Sequence, residues 1–319
     1  MKDSLGIKHR RHPTQPFILL GIILAMMGLQ AVLLPGSVTV NQLLLVSRQA
    51  SALGIIALGQ AVVIMVGGID LSVGSTVMIT NVFCIALMKG SNQLCASALA
   101  VCVLIGLAIG IANAVGVLLL HIAPFVMTLC TMTILEGICY VYTQGAPTGS
   151  AAPWIRSLGT GNFYGVPNST LIWLGLAVLL WVLFRFTTLG RKIYAVGGNS
   201  AAAKLSGISN KAVVAGAYVF CSLMAMLAGV ILSGYLNITS LTVGGDYVMN
   251  SLAAVLIGGN AIEGGRGGVW GVVLGAFFVM LLMALMTMLG MSIVGKMLMQ
   301  GLIIFAVVAL QGLGKKNNG

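Results

Sequence analysis

The chain alternates between long apolar runs and short polar breaks. The first run is Phe17 to Leu34, and others follow at about 43–66, 71–88, 94–120, 124–143, 170–187, 211–235, 248–262, 269–290 and 294–312. Each approaches the roughly 20 apolar residues a helix needs to cross about 30 Å of hydrocarbon. Continuous runs, rather than alternating segments of about ten residues, predict helices and not a β-barrel. The expected fold is all-α and polytopic, with about ten transmembrane helices in a single transmembrane domain spanning 1–319.

Composition agrees. Hydrophobic residues make up 59% of the 319 positions and charged residues 7%, with a mean hydropathy of +1.09. A soluble domain carries about 25% charged residues and could not keep a water-facing surface on this allowance. The net charge of +11 has no soluble basic domain to carry it, so it points to orientation and not to nucleic acid. With the N-terminus inside, Lys2, Lys8, Arg10, Arg11, Arg185, Arg191, Lys192, Lys204, Lys211, Arg266, Lys315 and Lys316 face the cytoplasm. Only Arg48, Lys89, Arg156 and Lys296 face outward. That bias predicts cytoplasmic tails at 1–16 and 313–319. The first apolar run is too long for a signal-peptide core, and no small-residue cleavage site follows it.

Two runs are interrupted by glycines and an acid. One break contains Gly67, Gly68, Asp70, Ser72 and Gly74; the other contains Gly258, Gly259, Asn260, Glu263, Gly264, Gly265 and Arg266. Paired interruptions of this kind predict broken helices and an internal duplication. Asp70 can lie at a helix start, where free N–H groups and the helix dipole favour an anion, or can act directly in solute or proton passage. Glu263 is expected to pair with Arg266 across a tight cytoplasmic turn, or to meet a cytoplasmic partner. Glu136 lies inside an apolar span. With Thr133 and Tyr140 on the same helical face, it either makes an interhelical hydrogen bond or lines a cavity.

The stretch from Gly190 to Asn210 could not sit comfortably in a bilayer. It carries Arg191, Lys192 and Lys204 and reads as a small, basic, partly helical platform on the cytoplasmic face, against which another protein pushes. The outer loop from about Gln144 to Ser169 holds Pro147, Pro153 and Pro167, with Trp154, Phe163 and Tyr164 between them. It is expected to fold onto the outer mouth, its aromatics serving as interface anchors or partner contacts. The six cysteines all fall in apolar runs without metal-ligand spacing and read as small buried core thiols. No H-E-x-x-H, nucleophile elbow with a triad, or phosphate loop is present, so neither catalysis nor ATP hydrolysis by this chain is expected.

GGIDLSVGS at 67–75, LGRKIYAVGGNSAAAKLSGIS at 189–209 and VLIGGNAIEGGRGGVWGVVLGA at 255–276 resemble the membrane permease subunits of bacterial ABC importers for monosaccharides. Branched-chain amino acid permeases are more distant relatives of that family. The resemblance runs in order along most of the chain. It implies an inner-membrane permease that pairs with a second permease chain, a cytoplasmic ATPase that binds the ATP and magnesium, and a periplasmic binding protein that delivers sugar. The permease itself would bind no cofactor. The resemblance also implies that the 188–210 loop holds a coupling helix at Asn199–Ser206. Gly197 and Gly198 would turn the chain into it, and Asn199, Ala202, Ala203, Leu205 and Gly207 would form it. Two departures stand out. Ser200 follows Gly-Gly-Asn where an acid is common, and Tyr247-Val248-Met249-Asn250 replaces an acidic-apolar-Asp stretch. The alternative function is an ion- or proton-coupled secondary transporter acting without an ATPase.

Overall fold

The computed structural model describes residues 15–316; side chains at 15, 304 and from 307 on are not described. Of the predicted tails at 1–16 and 313–319, residues 1–14 and 317–319 lie outside the described residues, while 15–16 and 313–316 are helical. The elements in order are α1 Gln15–Leu33, α2 Val40–Met65, α3 Val73–Met88, a 3-10 turn at Asn92–Leu94, α4 Cys95–Leu118, α5 Pro124–Thr143 and α6 Pro153–Thr160. A two-residue ribbon follows, with β1 Asn162–Phe163 antiparallel to β2 Val166–Pro167. Then come α7 Asn168–Phe186, α8 Thr188–Gly198, α9 Ser200–Leu205, α10 Asn210–Leu236, α11 Gly245–Ile257, α12 Val269–Met288 and α13 Ile293–Lys316.

The architecture is all-α, as expected, but the span count is not ten. Among the described residues, seven helices (α1, α2, α4, α5, α7, α10 and α12) are long and apolar enough to cross a membrane. α3 has 16 residues and α11 has 13. At 1.5 Å per residue they reach only about 24 and 20 Å. The apolar runs that suggested full spans include residues spent on the two interruptions, so the helices themselves are shorter than the runs. The described apolar part of α13 is likewise short, at Ile293–Ile303.

Burial separates inner from outer helices. Every residue of α2 from Ala50 to Met65 is buried, including Ser51 and Gln60. A helix apolar on all sides is buried on all sides. α10 packs across α2, α3 and α4, while α12 packs on α2 and α11. α1, α4, α5 and α7 each keep one exposed apolar face, as expected of lipid-facing helices. Five of the six cysteines are buried as predicted; Cys130 is exposed on α5 and corrects that reading.

The 144–169 loop is ordered by α6, which starts on Pro153 and packs against α10. Trp154, Phe163 and Tyr164 are all exposed on it. Asn81 on α3 is fully buried and locks the segment after α10. Its amide donates to Ser233 Oγ at 3.0 Å and to the Ile238 carbonyl at 3.3 Å, and its carbonyl accepts from Ser240 N at 2.8 Å. Replacing Asn81 with Ala removes three hydrogen bonds that tie α3 to α10 and the segment after it, which costs about 1–3 kcal/mol. We expect a lowered thermal-unfolding midpoint for the detergent-solubilised Asn81→Ala variant, read by intrinsic fluorescence.

Candidate functional site at the glycine junction

Both interruptions end their first helix by the same device. At α2, Gly67 has φ +84°, its N–H donates to the Ile64 carbonyl at 2.9 Å, and Gly68 N donates to Val63 O at 2.9 Å. At α11, Gly259 has φ +86°, its N–H donates to Leu256 O at 3.0 Å, and Asn260 N donates to Val255 O at 3.2 Å. These are paired Schellman closures, in which a left-handed glycine lets two N–H groups satisfy the last carbonyls. The glycine pairs are out of step by one residue: Gly67 is the first of its pair and Gly259 the second. Gly258 instead packs backbone to backbone on α12, where an added Cβ would lie 2.6 Å from Gly271.

The basic stretch folds as two helices. Thr187 starts α8 by accepting from Leu189 N at 3.2 Å, and Asn199 caps α9 by accepting from Ala202 N at 3.0 Å. Residues 199–206 therefore form a capped helix turn, closed at its far end by Gly207 at φ +78°. Ala203 is buried against the bundle, whereas Ala202 is exposed and Leu205 is 91% exposed.

Gly197 and Gly198 do not turn the chain, as the resemblance had implied. Both lie in the last turn of α8, and the direction changes at Asn199, whose backbone is extended. Gly197 serves close approach instead: an added Cβ would sit 1.7 Å from the Met65 carbonyl at the end of α2. That same carbonyl accepts from Gly265 N at 2.9 Å. An added Cβ on Gly265 would meet the Gly198 Cα at 2.6 Å, and Tyr194 of α8 donates its hydroxyl to Gly267 O at 2.9 Å. The three glycine-rich motifs thus meet at one junction: the end of α2, the end of α8 and the 258–268 loop. Within that loop Asn260, fully buried, accepts from Gly268 N at 2.7 Å, and Ala261 N donates to Arg266 O at 3.1 Å.

Behind the first interruption lies a buried polar chain. Asp70 Oδ1 accepts from Ser72 N at 2.8 Å and from Ser72 Oγ at 2.6 Å. Asn113 of α4 donates to Ser72 Oγ at 2.9 Å and accepts from Thr131 Oγ1 of α5 at 2.6 Å. Thr128 of α5 accepts from Leu71 N at 3.1 Å. Gln60 of α2, with its amide turned to suit both neighbours, donates to Asp70 O at 3.1 Å and accepts from Asp70 N at 3.3 Å. The irregular backbone of the break is thereby satisfied inside protein, which apolar surroundings require.

Residues 42–308 match the family described as branched-chain amino acid transport system / permease component. The chain belongs to that permease family. It is 33% identical over 312 residues to the ribose import permease protein RbsC of Escherichia coli (strain K12), covering 95% of this chain and 96% of that one. The ribose import permease protein RbsC of Haemophilus influenzae is 34% identical over 305 residues, with 94% and 93% covered. The D-allose transport system permease protein AlsC of E. coli (strain K12) is 29% identical, with 94% and 91% covered. No solved structure matches the chain.

Of the sequence-predicted residues, the permease brings Gly67, Gly197, Gly198, Gly258, Gly259 and Asn260 to the junction or its closures. Asp70 and Ser72 fold into the turn before α3; Asp70 does not cap its first-turn amides. Glu263 and Arg266 are both exposed on the loop beside α8. Glu136 is half-buried on α5, and Tyr140 on the same face is 52% exposed; this face looks out of the bundle and not into an internal cavity. Gln60, Asn113, Thr128 and Thr131 were missed. Their signal was available, since an amide inside an apolar run needs a partner.

The junction separates two neighbouring glycines sharply. Gly197→Ala forces a methyl into the Met65 carbonyl, whereas nothing lies within 4 Å of a Cβ at Gly198. We expect Gly197→Ala to lower the thermal midpoint by the equivalent of about 1–3 kcal/mol, as overpacking does. Gly198→Ala should leave that midpoint unchanged or slightly raised.

Proposed function

We propose that the permease carries a monosaccharide across a bacterial inner membrane as the transmembrane part of an ATP-driven importer, with α9 as the point where the ATPase acts. In this reading both termini and the α8–α9 platform are cytoplasmic. A periplasmic binding protein delivers the sugar, a second permease chain completes the pathway, and ATP and magnesium sit on the ATPase. The permease itself binds no cofactor.

The observation that carries the coupling assignment is the junction. α9 presents Ala202 and Leu205 outward, and α8 directly behind it abuts the end of α2 and the loop that follows α11. A push on α9 therefore reaches α2 and the α11–α12 loop through backbone contacts, which do not yield as flexible side chains would. The ribose and allose permeases, aligned over nearly their full length, support a sugar as cargo. The unassisted secondary transporter fits less well. Asp70 Oδ1 is committed to Ser72, and Glu136 forms no hydrogen bond among the described residues, so the two acids form no relay.

The test is reconstitution with the ATPase and binding protein in proteoliposomes. Ala202→Glu puts a charge on the exposed face of α9 without touching the bundle. We expect binding-protein-stimulated ATP hydrolysis and sugar uptake to fall at least about tenfold, equivalent to about 1.4 kcal/mol of lost coupling, with an unaltered thermal midpoint. Uptake by the permease alone, without ATPase, would contradict the reading.

A further inference from the structure

The outward stripe of α7 ends in charge. Leu171, Leu174, Val178, Trp181 and Val182 recur at helical spacing and are all exposed, and Arg185, also exposed, is the next position on that face. Phe186, directly after it, is 67% exposed. Three rings gather at this level. Trp181 meets Phe186 edge to face, with centroids 5.8 Å apart, and lies 6.4 Å from Trp270 at the start of α12. All three rings keep an exposed side. Exposed indoles at the end of a lipid-facing apolar stripe mark the level of the headgroups.

α8 doubles back onto this end of α7. Thr187 between them is extended, and an added Cβ on Gly190 would collide with the Phe184 carbonyl. Tyr194 and Phe184 meet ring to ring at 5.9 Å. Arg185 and Arg191 each follow one of the two residues in backbone contact, Phe184 and Gly190, so both side chains spring from one elbow. Gly190 and Val196 are buried against the bundle, whereas Arg191 and Lys192 are exposed. The chain has no Asp or Glu between Glu136 and Asp246, so α7, α8 and α9 supply no carboxylate to these cations. Glu263 and Arg266 on the loop beside α8 add one charge of each sign, and the surplus of Arg185, Arg191 and Lys192 stands.

We propose that the α7–α8 elbow binds the phosphate-bearing headgroup of an anionic phospholipid. Arg185 and Arg191 hold the phosphate, since a guanidinium matches its oxygens two at a time. Lys192 adds positive charge, and Trp181, Phe186 and Trp270 rest against the glycerol and the first acyl carbons. Basic pockets at the ends of membrane helices suit such headgroups. A soluble acidic partner fits less well, because Arg185 shares its face with the stripe that meets hydrocarbon. A lipid held here ties the end of α7 to α8, whose Gly197 abuts the Met65 carbonyl, and so steadies the platform from the membrane side. The site goes beyond the import reading and does not need it.

The test is lipid quenching of tryptophan fluorescence. Trp181 and Trp270 lie at the elbow, Trp173 is buried in the bundle and Trp154 is on the 144–169 loop, so Trp154→Phe leaves the elbow pair as the lipid-accessible emitters. Purified Trp154→Phe permease in nanodiscs is titrated with dibrominated phosphatidylglycerol or dibrominated phosphatidylcholine. We expect half-quenching at an about tenfold lower mole fraction of the anionic lipid. About 1 M NaCl, which screens charge beyond about 3 Å, should remove most of that preference. Arg185→Gln combined with Arg191→Gln should remove it too, whereas Lys296→Gln, at the opposite end of the bundle, should not. Equal quenching of the Trp154→Phe parent by both lipids would overturn the proposal. A preference that survives both glutamines would place the lipid elsewhere and overturn it as well. Equal quenching, with the two arginines instead required for the ATPase to co-purify, would assign the elbow to the ATPase and again overturn it. The parent's preference and its salt dependence need neither arginine substitution, so the test holds even where the double variant does not fold. All lipid readings are made on the permease alone, so a failure of sugar uptake would overturn the import reading and leave this one standing.

Discussion

The Met65 carbonyl is the contact on which the rest of this structure depends. It belongs to the last turn of α2, whose carbonyls have no intrahelical partners and must be satisfied elsewhere. The Schellman closure at Gly67 takes care of Val63 and Ile64, but Met65 is left over. Its partner is the N–H of Gly265, 200 residues further along the chain, and Gly197 packs against it so closely that no side chain fits. One unsatisfied helix end thus fixes the position of two remote segments. Because the groups involved are backbone, they hold without rotamer freedom.

This constraint explains why the permease can contain interrupted helices at all. Irregular backbone within an apolar environment is tolerated only where protein satisfies it. At the first break that task falls to Gln60, Asn113, Thr128 and Thr131, drawn from three helices. At the second it falls to Asn260, to Tyr194 and to the turn closed between Ala261 and Arg266. α8 touches the end of one break and the loop of the other. A platform built this way is physically suited to move the two together, and α2 runs from the junction to the far end of the bundle.

Much of this was legible in the chain. Long apolar runs gave helices at the right places, and the paired Gly-Gly breaks gave two interruptions that close by the same hydrogen-bond pattern. Asn199 and Ser200 were both readable as caps, since each type at a position before three alanines suits an N-cap, and the structure uses Asn199. What failed did so for identifiable reasons. Hydropathy cannot tell a residue in a helix from one in an apolar turn, so α3 and α11 were overestimated in length. Gly197 looked like a hinge because glycine serves both flexibility and close approach, and only the neighbouring backbone separates the two. Glu136 shares a face of α5 with Thr133 and Tyr140, as the spacing indicates, but which way that face looks depends on helices remote in sequence. The Asn113–Ser72 link spans 41 residues and has no local signature.

The most direct measurement is a pair of spin-label distances in the assembled importer, with and without bound ATP, using permease stripped of the exposed Cys130. One pair joins Lys204 on α9 to Arg266 on the second break; the other joins Lys204 to Gln49 near the far end of α2. If the junction transmits motion as a unit, the first distance stays constant through the nucleotide cycle while the second changes. A Lys204–Arg266 distance that broadens or shifts on ATP binding would mean that the platform slides over the breaks. The Met65 contact would then not be the coupling element.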